Sequence, residues 1–137
     1  MQIRINTHGG PLPEQHGDWI DLYAAQNTVI EAGQDRMISL GVSMEIPEGY
    51  EAHVLPRSST FQKYGIMLVN GTGIIDNDYK GDDDVWHFHA YAVRLTYIPA
   101  GERIAQFRIV PKQPKIEFVP VDSLGNPNRG GFGSTGR

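Results

Sequence analysis

The chain has no cysteine, no long apolar run and no excess of basic charge. Without cysteine there are no disulfides, no Cys-ligated zinc, no iron–sulfur clusters and no thiol nucleophile. The longest apolar runs are a handful of residues, whereas a membrane-spanning helix needs about 20. Met1-Gln-Ile-Arg4 lacks the apolar stretch of a secretion signal, so export is not expected and a cytoplasmic setting is. Twelve Lys plus Arg against 16 Asp plus Glu leave a net charge of −4 and a pI near 5.7. That balance excludes the broad basic face of a nucleic-acid binder and leaves room only for a local anion site. A helical period is missing too. No stretch of about ten residues sustains one, and Ser58–Lys63 is the only candidate for a turn or two.

What the chain does have is punctuation. Sixteen Gly and nine Pro in 137 residues suit short strands rather than a helical bundle. The length fits one domain. Gln2-Ile-Arg-Ile5 alternates before Gly9-Gly-Pro-Leu-Pro13 interrupts it. Strand-like segments follow at Ile38–Ile46, Glu51–Leu55, Val85–Leu95, Arg103–Val110 and Lys115–Val121, with Pro or Gly between several of them. Asn70-Gly71, between Ile66–Val69 and Ile74–Ile75, reads as a tight hairpin turn. The pattern predicts an all-β sandwich or barrel.

Several residues carry chemistry if the fold gathers them. Pro56-Arg57-Ser58-Ser59 offers a guanidinium and two hydroxyls to an oligophosphate, or else a capping Ser beside a surface Arg. Asp76, after Ile74-Ile75 and three positions before Tyr79, could orient or deprotonate a water, or could simply initiate a turn. The backbone around Asn70-Gly71 could read a pyrimidine edge as a pairing base would. Gln106 falls between apolar residues of a strand, where its amide either binds phosphate or is satisfied internally. Asp82-Asp83-Asp84 reads as a solvated loop, because consecutive side chains on an extended chain diverge. His87 and His89 share one strand face and read as ordinary strand histidines. Gly125–Arg137, with five glycines, is either a disordered tail or an arm that orders on a ligand through Arg129 and Phe132.

In this order the pieces resemble the trimeric deoxyuridine triphosphatases (dUTPases), in a short form like those of Bacillus and its phages. The matching blocks are Asp18–Ala25, Pro56–Ser59, Asn70–Gly81, Gly101–Phe107 and Arg129–Gly136. The resemblance implies a distorted jelly-roll-like β-barrel over residues 1–124 and an arm, 125–137, closing over a neighbouring active site of a homotrimer. It implies hydrolysis of dUTP to dUMP and pyrophosphate with Mg²⁺. Asp76 would activate water, Tyr79 would exclude a ribose 2′-hydroxyl, and Asn70 through Gly73, with Ile75, would read uracil. Arg57, Ser58, Ser59 and Gln106 would hold phosphates, and Asp21 would support Mg²⁺ through its waters. Arg129 would clamp the γ-phosphate, Phe132 would stack over uracil, and Ser134 and Thr135 would add phosphate contacts. The chain departs from the family at Trp19-Ile20, where a small residue and Gly-Tyr are usual, and at Asp82–Asp84. Arg129 also stands closer to Phe132 than is common. Two other readings share the scaffold: a deoxycytidine triphosphate deaminase, and a nucleotide-binding protein with a regulatory protein partner.

Overall fold

A computed structural model of the chain describes residues 1–131. Twelve strands and one short helix follow in order. They are β1 (Ile5–Asn6), β2 (Glu14–His16), β3 (Trp19–Tyr23), β4 (Thr28–Ile30), β5 (Asp35–Ser39), β6 (Ser43–Met44), β7 (Tyr50–Pro56), α1 (Thr60–Tyr64), β8 (Ile66–Leu68), β9 (Gly73–Ile75), β10 (His87–Ala92), β11 (Thr96–Ile98) and β12 (Arg103–Pro111). The expected all-β class holds, and the one turn of helix overlaps Ser58–Lys63, ending one residue beyond it.

The strands form a five-stranded sheet (β2-β3-β12-β7-β9), a three-stranded sheet (β5-β10-β8) and two two-stranded ladders (β1-β6 and β11-β4). These ladders do not close into one hydrogen-bonded barrel among the described residues. They wrap a single core instead. Period-two alternation explains how β10 contributes to it: Phe88, Ala90 and Ala92 are buried while His87 and Tyr91 are exposed. Trp86, also fully buried, packs edge-to-face on Phe107 of β12, with centroids 5.1 Å apart and planes at 79°.

Three expectations change. Ile38–Ile46 is two strands, because Gly41 takes φ +71° and bends the chain between β5 and β6. Asn70-Gly71 turns the chain but joins no hairpin: β8 pairs with β10, whereas β9 pairs with β7. The turn is closed by the Gly71 N–H on the Leu68 carbonyl (3.2 Å), and only Gly71 has positive φ. That bond makes Val69 and Asn70 the central pair, and neither has the positive φ that type I′ and II′ turns both need at the first central position, so no tight hairpin forms. Lys115–Val121 forms no strand. Among the described residues no strand edge pairs with it, and Phe118 is 88% exposed.

Candidate active site

The five-stranded sheet builds the first cluster. Antiparallel register sets Asp21 of β3 opposite Gln106 of β12, and Gln106 opposite Leu55 of β7. The next residues on β7 lead into Arg57. Asp21 is only 3% exposed, and its Oδ1 lies 3.3 Å from Arg57 Nε while its Oδ2 lies 3.3 Å from Arg103 Nη1. Gln106 donates from Nε2 to the Pro56 carbonyl (3.1 Å). The turn after β7 is rigid because the buried Thr60 hydroxyl accepts the Arg57 N–H (2.9 Å) and donates to the Ile104 carbonyl (2.8 Å). Ser59 occupies the N-cap position of α1 yet makes no capping bond with its side chain, and Ser58 is exposed. The guanidinium and both hydroxyls of Arg57-Ser58-Ser59 therefore sit on a fixed turn, with the hydroxyls not consumed in capping.

Sequence reasoning passed over two partners of Asp21. Arg103 lies within the Gly101–Phe107 block, so its pairing was hidden only by the absence of a register. His16 comes to Asp21 through the tight β2-β3 hairpin, in which Gly17 takes φ +65°. Its Nε2 stands 3.3 Å from Arg103 Nη1 and 3.9 Å from Asp21 Oδ2. Trp19, one of the departures, lies under the Arg108 guanidinium at 4.8 Å from the ring centroid.

The second cluster surrounds a pocket of about 300 Å³ lined by Asn70, Gly73, Ile75, Asp76 and Tyr79 together with Met37, Val54, Val85, Trp86 and His87. Gly73 has a physical reason to be glycine: a Cβ there would meet Val54 Cβ at 3.2 Å, so the backbone lies close against β7. Asn77 anchors the following turn by donating from Nδ2 to the Ile46 and Pro47 carbonyls, both at 2.8 Å. Asp76 is exposed; its Oδ1 accepts the Asp78 N–H (3.0 Å), which aims the carboxylate and leaves Oδ2 open. Tyr79 donates its hydroxyl to the Val85 carbonyl (2.9 Å).

Strand β7 connects the clusters. Val54 faces Gly73 on one side and Phe107 on the other, and two positions later the strand ends at Pro56, beside Arg57. A separate cleft of about 490 Å³ is lined by Pro56, Arg57, Phe61, Met67 and Gly71, and it shares no lining residue with the Asp76 pocket. No hydrogen bond or ion pair joins the clusters directly among the described residues. Arg129 is exposed, and Phe132, Ser134 and Thr135 lie outside the described residues.

The residues left unassigned also find partners. Asp82 Oδ1 accepts from Asn6 Nδ2 (2.9 Å), and Asp84 Oδ2 accepts the Gly81 N–H (2.9 Å). Among the described residues no three His, Cys, Asp or Glu side chains form a metal cluster. His89 Nε2 lies 2.6 Å from Asp35 Oδ2 across β10-β5, and this bond holds the Asp35 carboxyl below its usual range.

Comparison with protein families matches the dUTPase model over residues 13–136. The chain is 54% identical over 135 residues to the SPbeta prophage-derived deoxyuridine 5'-triphosphate nucleotidohydrolase of Bacillus subtilis (strain 168), covering 98% of this chain and 91% of that one. It superposes on the dUTPase of Staphylococcus bacteriophage 80alpha with dUPNHPP at a TM-score of 0.76 and 25% identity, over 99% of each chain. The dUTPase of Streptococcus mutans gives a TM-score of 0.71 at 25% identity, over 90% of this chain and 100% of that one.

Proposed function

Because the chain belongs to the dUTPase family, we propose that it is a dUTP diphosphatase that uses Mg²⁺ to release dUMP and pyrophosphate. The observation that carries this reading is the pocket in which Asn70, Gly73, Ile75, Asp76 and Tyr79 converge.

In this reading the backbone from Asn70 through Gly73, with Ile75, reads uracil by hydrogen bonds and close fit. Rejection of cytosine's amino group and thymine's methyl follows from that fit. Tyr79 packs on the deoxyribose. Asp76 aligns the attacking water and accepts its proton as water adds across the anhydride that joins the α- and β-phosphates. Arg57, Ser58, Ser59 and Gln106 hold phosphate oxygens, with Arg57 kept in place by the buried Asp21. The donor set suits Mg²⁺ held mainly by phosphate oxygens and water. Both Asp21 oxygens face guanidinium groups, yet each keeps a lone pair for a metal-bound water. Bound Mg²⁺ supplies charge neutralisation to the triphosphate.

The chain acts as a homotrimer, and residues 125–137 form an arm that closes over a neighbour's site with Arg129, Phe132, Ser134 and Thr135 on the nucleotide. The unpaired segment with exposed Phe118, Val119 and Leu124 supports an arm directed away from its own chain. The activity limits uracil in DNA and supplies dUMP for thymidine nucleotide synthesis, in the cytoplasm of a bacterial cell or phage-infected host. A deaminase of the same fold, which usually needs a Glu aimed at the pyrimidine, is disfavoured because among the described residues the pocket is lined by Asp76 and by no Glu.

The test is pyrophosphate release from dUTP beside dCTP, dTTP and UTP, with Mg²⁺ and with chelator, for the wild type and Asp76→Asn. Turnover of dUTP alone, abolished by chelator and reduced at least about 10²-fold by the substitution, supports the assignment. Binding of dUTP without hydrolysis by the wild type would replace it with the regulatory reading.

A further inference from the structure

His87 reads in the sequence as an ordinary strand histidine, and the roles proposed above leave it idle. It lies on the exposed side of β10 and lines the same pocket as Asp76 and Tyr79. Its Nδ1 is 2.8 Å from the Val85 carbonyl, which also accepts the Tyr79 hydroxyl at 2.9 Å. A carbonyl oxygen only accepts and has two lone pairs. Nδ1 therefore carries the proton, and one oxygen fixes two rings. The phenol oxygen and the imidazole nitrogen stand no further apart than those two bonds laid end to end.

The post itself is fixed. Trp86, the next residue, is fully buried; its N–H donates to the Val42 carbonyl (2.8 Å) and its carbonyl accepts the Leu40 N–H (2.8 Å). On the other side, the Asp84 N–H closes a turn on the Gly81 carbonyl (3.1 Å), and Asp84 Oδ2 accepts the Gly81 N–H (2.9 Å). With Nδ1 committed to Val85, Nε2 of the neutral ring is an acceptor, and no side chain or backbone group among the described residues donates to it.

We propose that His87 is a sugar-positioning residue: pinned with Tyr79 on the Val85 carbonyl, it completes a two-ring wall that seats the 2′-deoxyribose and shares in rejecting a ribose. This rests on the dUTPase reading of the pocket and adds a residue to its sugar specificity. The free Nε2 gives that wall an acceptor for the 3′-hydroxyl, the one free hydroxyl of the esterified deoxyribose, while the rings leave no room for a 2′-hydroxyl. His87 takes no part in bond breaking, so its removal acts on KM and on the dUTP-to-UTP preference, with kcat nearly intact.

Steady-state kinetics of the full chain with dUTP and UTP test this for His87→Ala, His87→Asn and His87→Phe. Asn can place an amide N–H where Nδ1–H stood, whereas Phe keeps a ring without the bond. His87→Ala is expected to raise KM for dUTP about 3–10-fold, to lower the dUTP-to-UTP ratio of kcat/KM by a similar factor and to leave kcat within about twofold. His87→Asn is expected to recover part of both losses, and His87→Phe to recover less of the preference. Imidazole ¹⁵N spectra of the wild type supply a readout free of turnover: the Nδ1–H tautomer before ligand, and a shift of the His87 Nε2 resonance on addition of dUMP. A dUTP-selective wild type whose His87→Ala variant keeps its KM and its preference overturns this inference alone, as does an Nε2 resonance unmoved at saturating dUMP. A wild type that does not hydrolyse dUTP overturns the parent reading and takes this one with it.

Discussion

Replacing Asp21 by Asn tests whether the first cluster is both a structural tie and a phosphate site. The carboxylate is 3% exposed and meets one guanidinium on each oxygen, at 3.3 Å in both cases. The amide keeps one acceptor and turns an NH₂ donor toward a guanidinium, which is itself only a donor. One charge-assisted contact is lost, of a kind worth about 1.5–3 kcal/mol net. The Arg57 and Arg103 side chains are 29% and 43% exposed, so solvent screening draws the cost to the low end. The expected loss is about 1.5–2 kcal/mol in urea unfolding at fixed protein concentration, or a fall of about 4–8 °C in Tm. Arg57, released from its tie, should then hold phosphate less well, with KM for dUTP rising about tenfold and depending more steeply on salt. A variant within about 0.5 kcal/mol of the wild type and with its KM unchanged would show that Asp21 neither ties the arginines nor positions them.

Two further outcomes follow from local geometry. Gly73→Ala places a methyl 3.2 Å from Val54 Cβ and should lift the base-reading backbone by a few tenths of an ångström, raising KM about 3–10-fold with the fold kept. Val54→Gly in the same chain, which removes the contacting Cβ, should recover part of that affinity despite its own cavity and strand cost, and kinetics of the three variants decide it. The Asp35 carboxyl is held below its usual range by the His89 hydrogen bond, so it stabilises the fold above the unfolded carboxylate pKa of about 3.9 and ceases to as pH falls through the lower folded value. Asp35→Asn should therefore flatten the loss of urea midpoint on acidification below about pH 4, and an unchanged slope would exclude the pair as its source.

Local signals carried the class of the fold and the identity of the site residues further than their arrangement. Period-two alternation at His87–Ala92 and the turn of helix at Thr60–Tyr64 depend on residues a few positions apart, and both were readable. Pairing depends on residues that lie far apart in the chain. Asn70-Gly71 has the composition of a hairpin, yet its flanking strands join different sheets because His87–Ala92 and Tyr50–Pro56 compete for them and win. Lys115–Val121 has a strand's alternation but, among the described residues, no strand edge paired with it. In the site, Asp21, Arg57, Asp76 and Tyr79 could be named from their blocks. His16 could not, because its approach to Asp21 depends on the shortened turn at Gly17.

An acidic chain that binds a triphosphate must keep its carboxylates from repelling it, and the placement of charge shows how. Asp21, buried at the proposed phosphate end, spends its charge on two guanidinium groups, which more than offset it. Asp82 and Asp84 are engaged by Asn6 and by the Gly81 N–H in the loop that leads to Val85. Asp76 keeps one oxygen uncommitted, where a water can be aligned. The net charge of −4 is thus no obstacle. Reversing the local balance, by Arg103→Glu for example, should abolish saturable dUTP binding while lowering the chain's net charge by only two. Affinity retained in that variant at low salt would mean that the phosphates are held elsewhere.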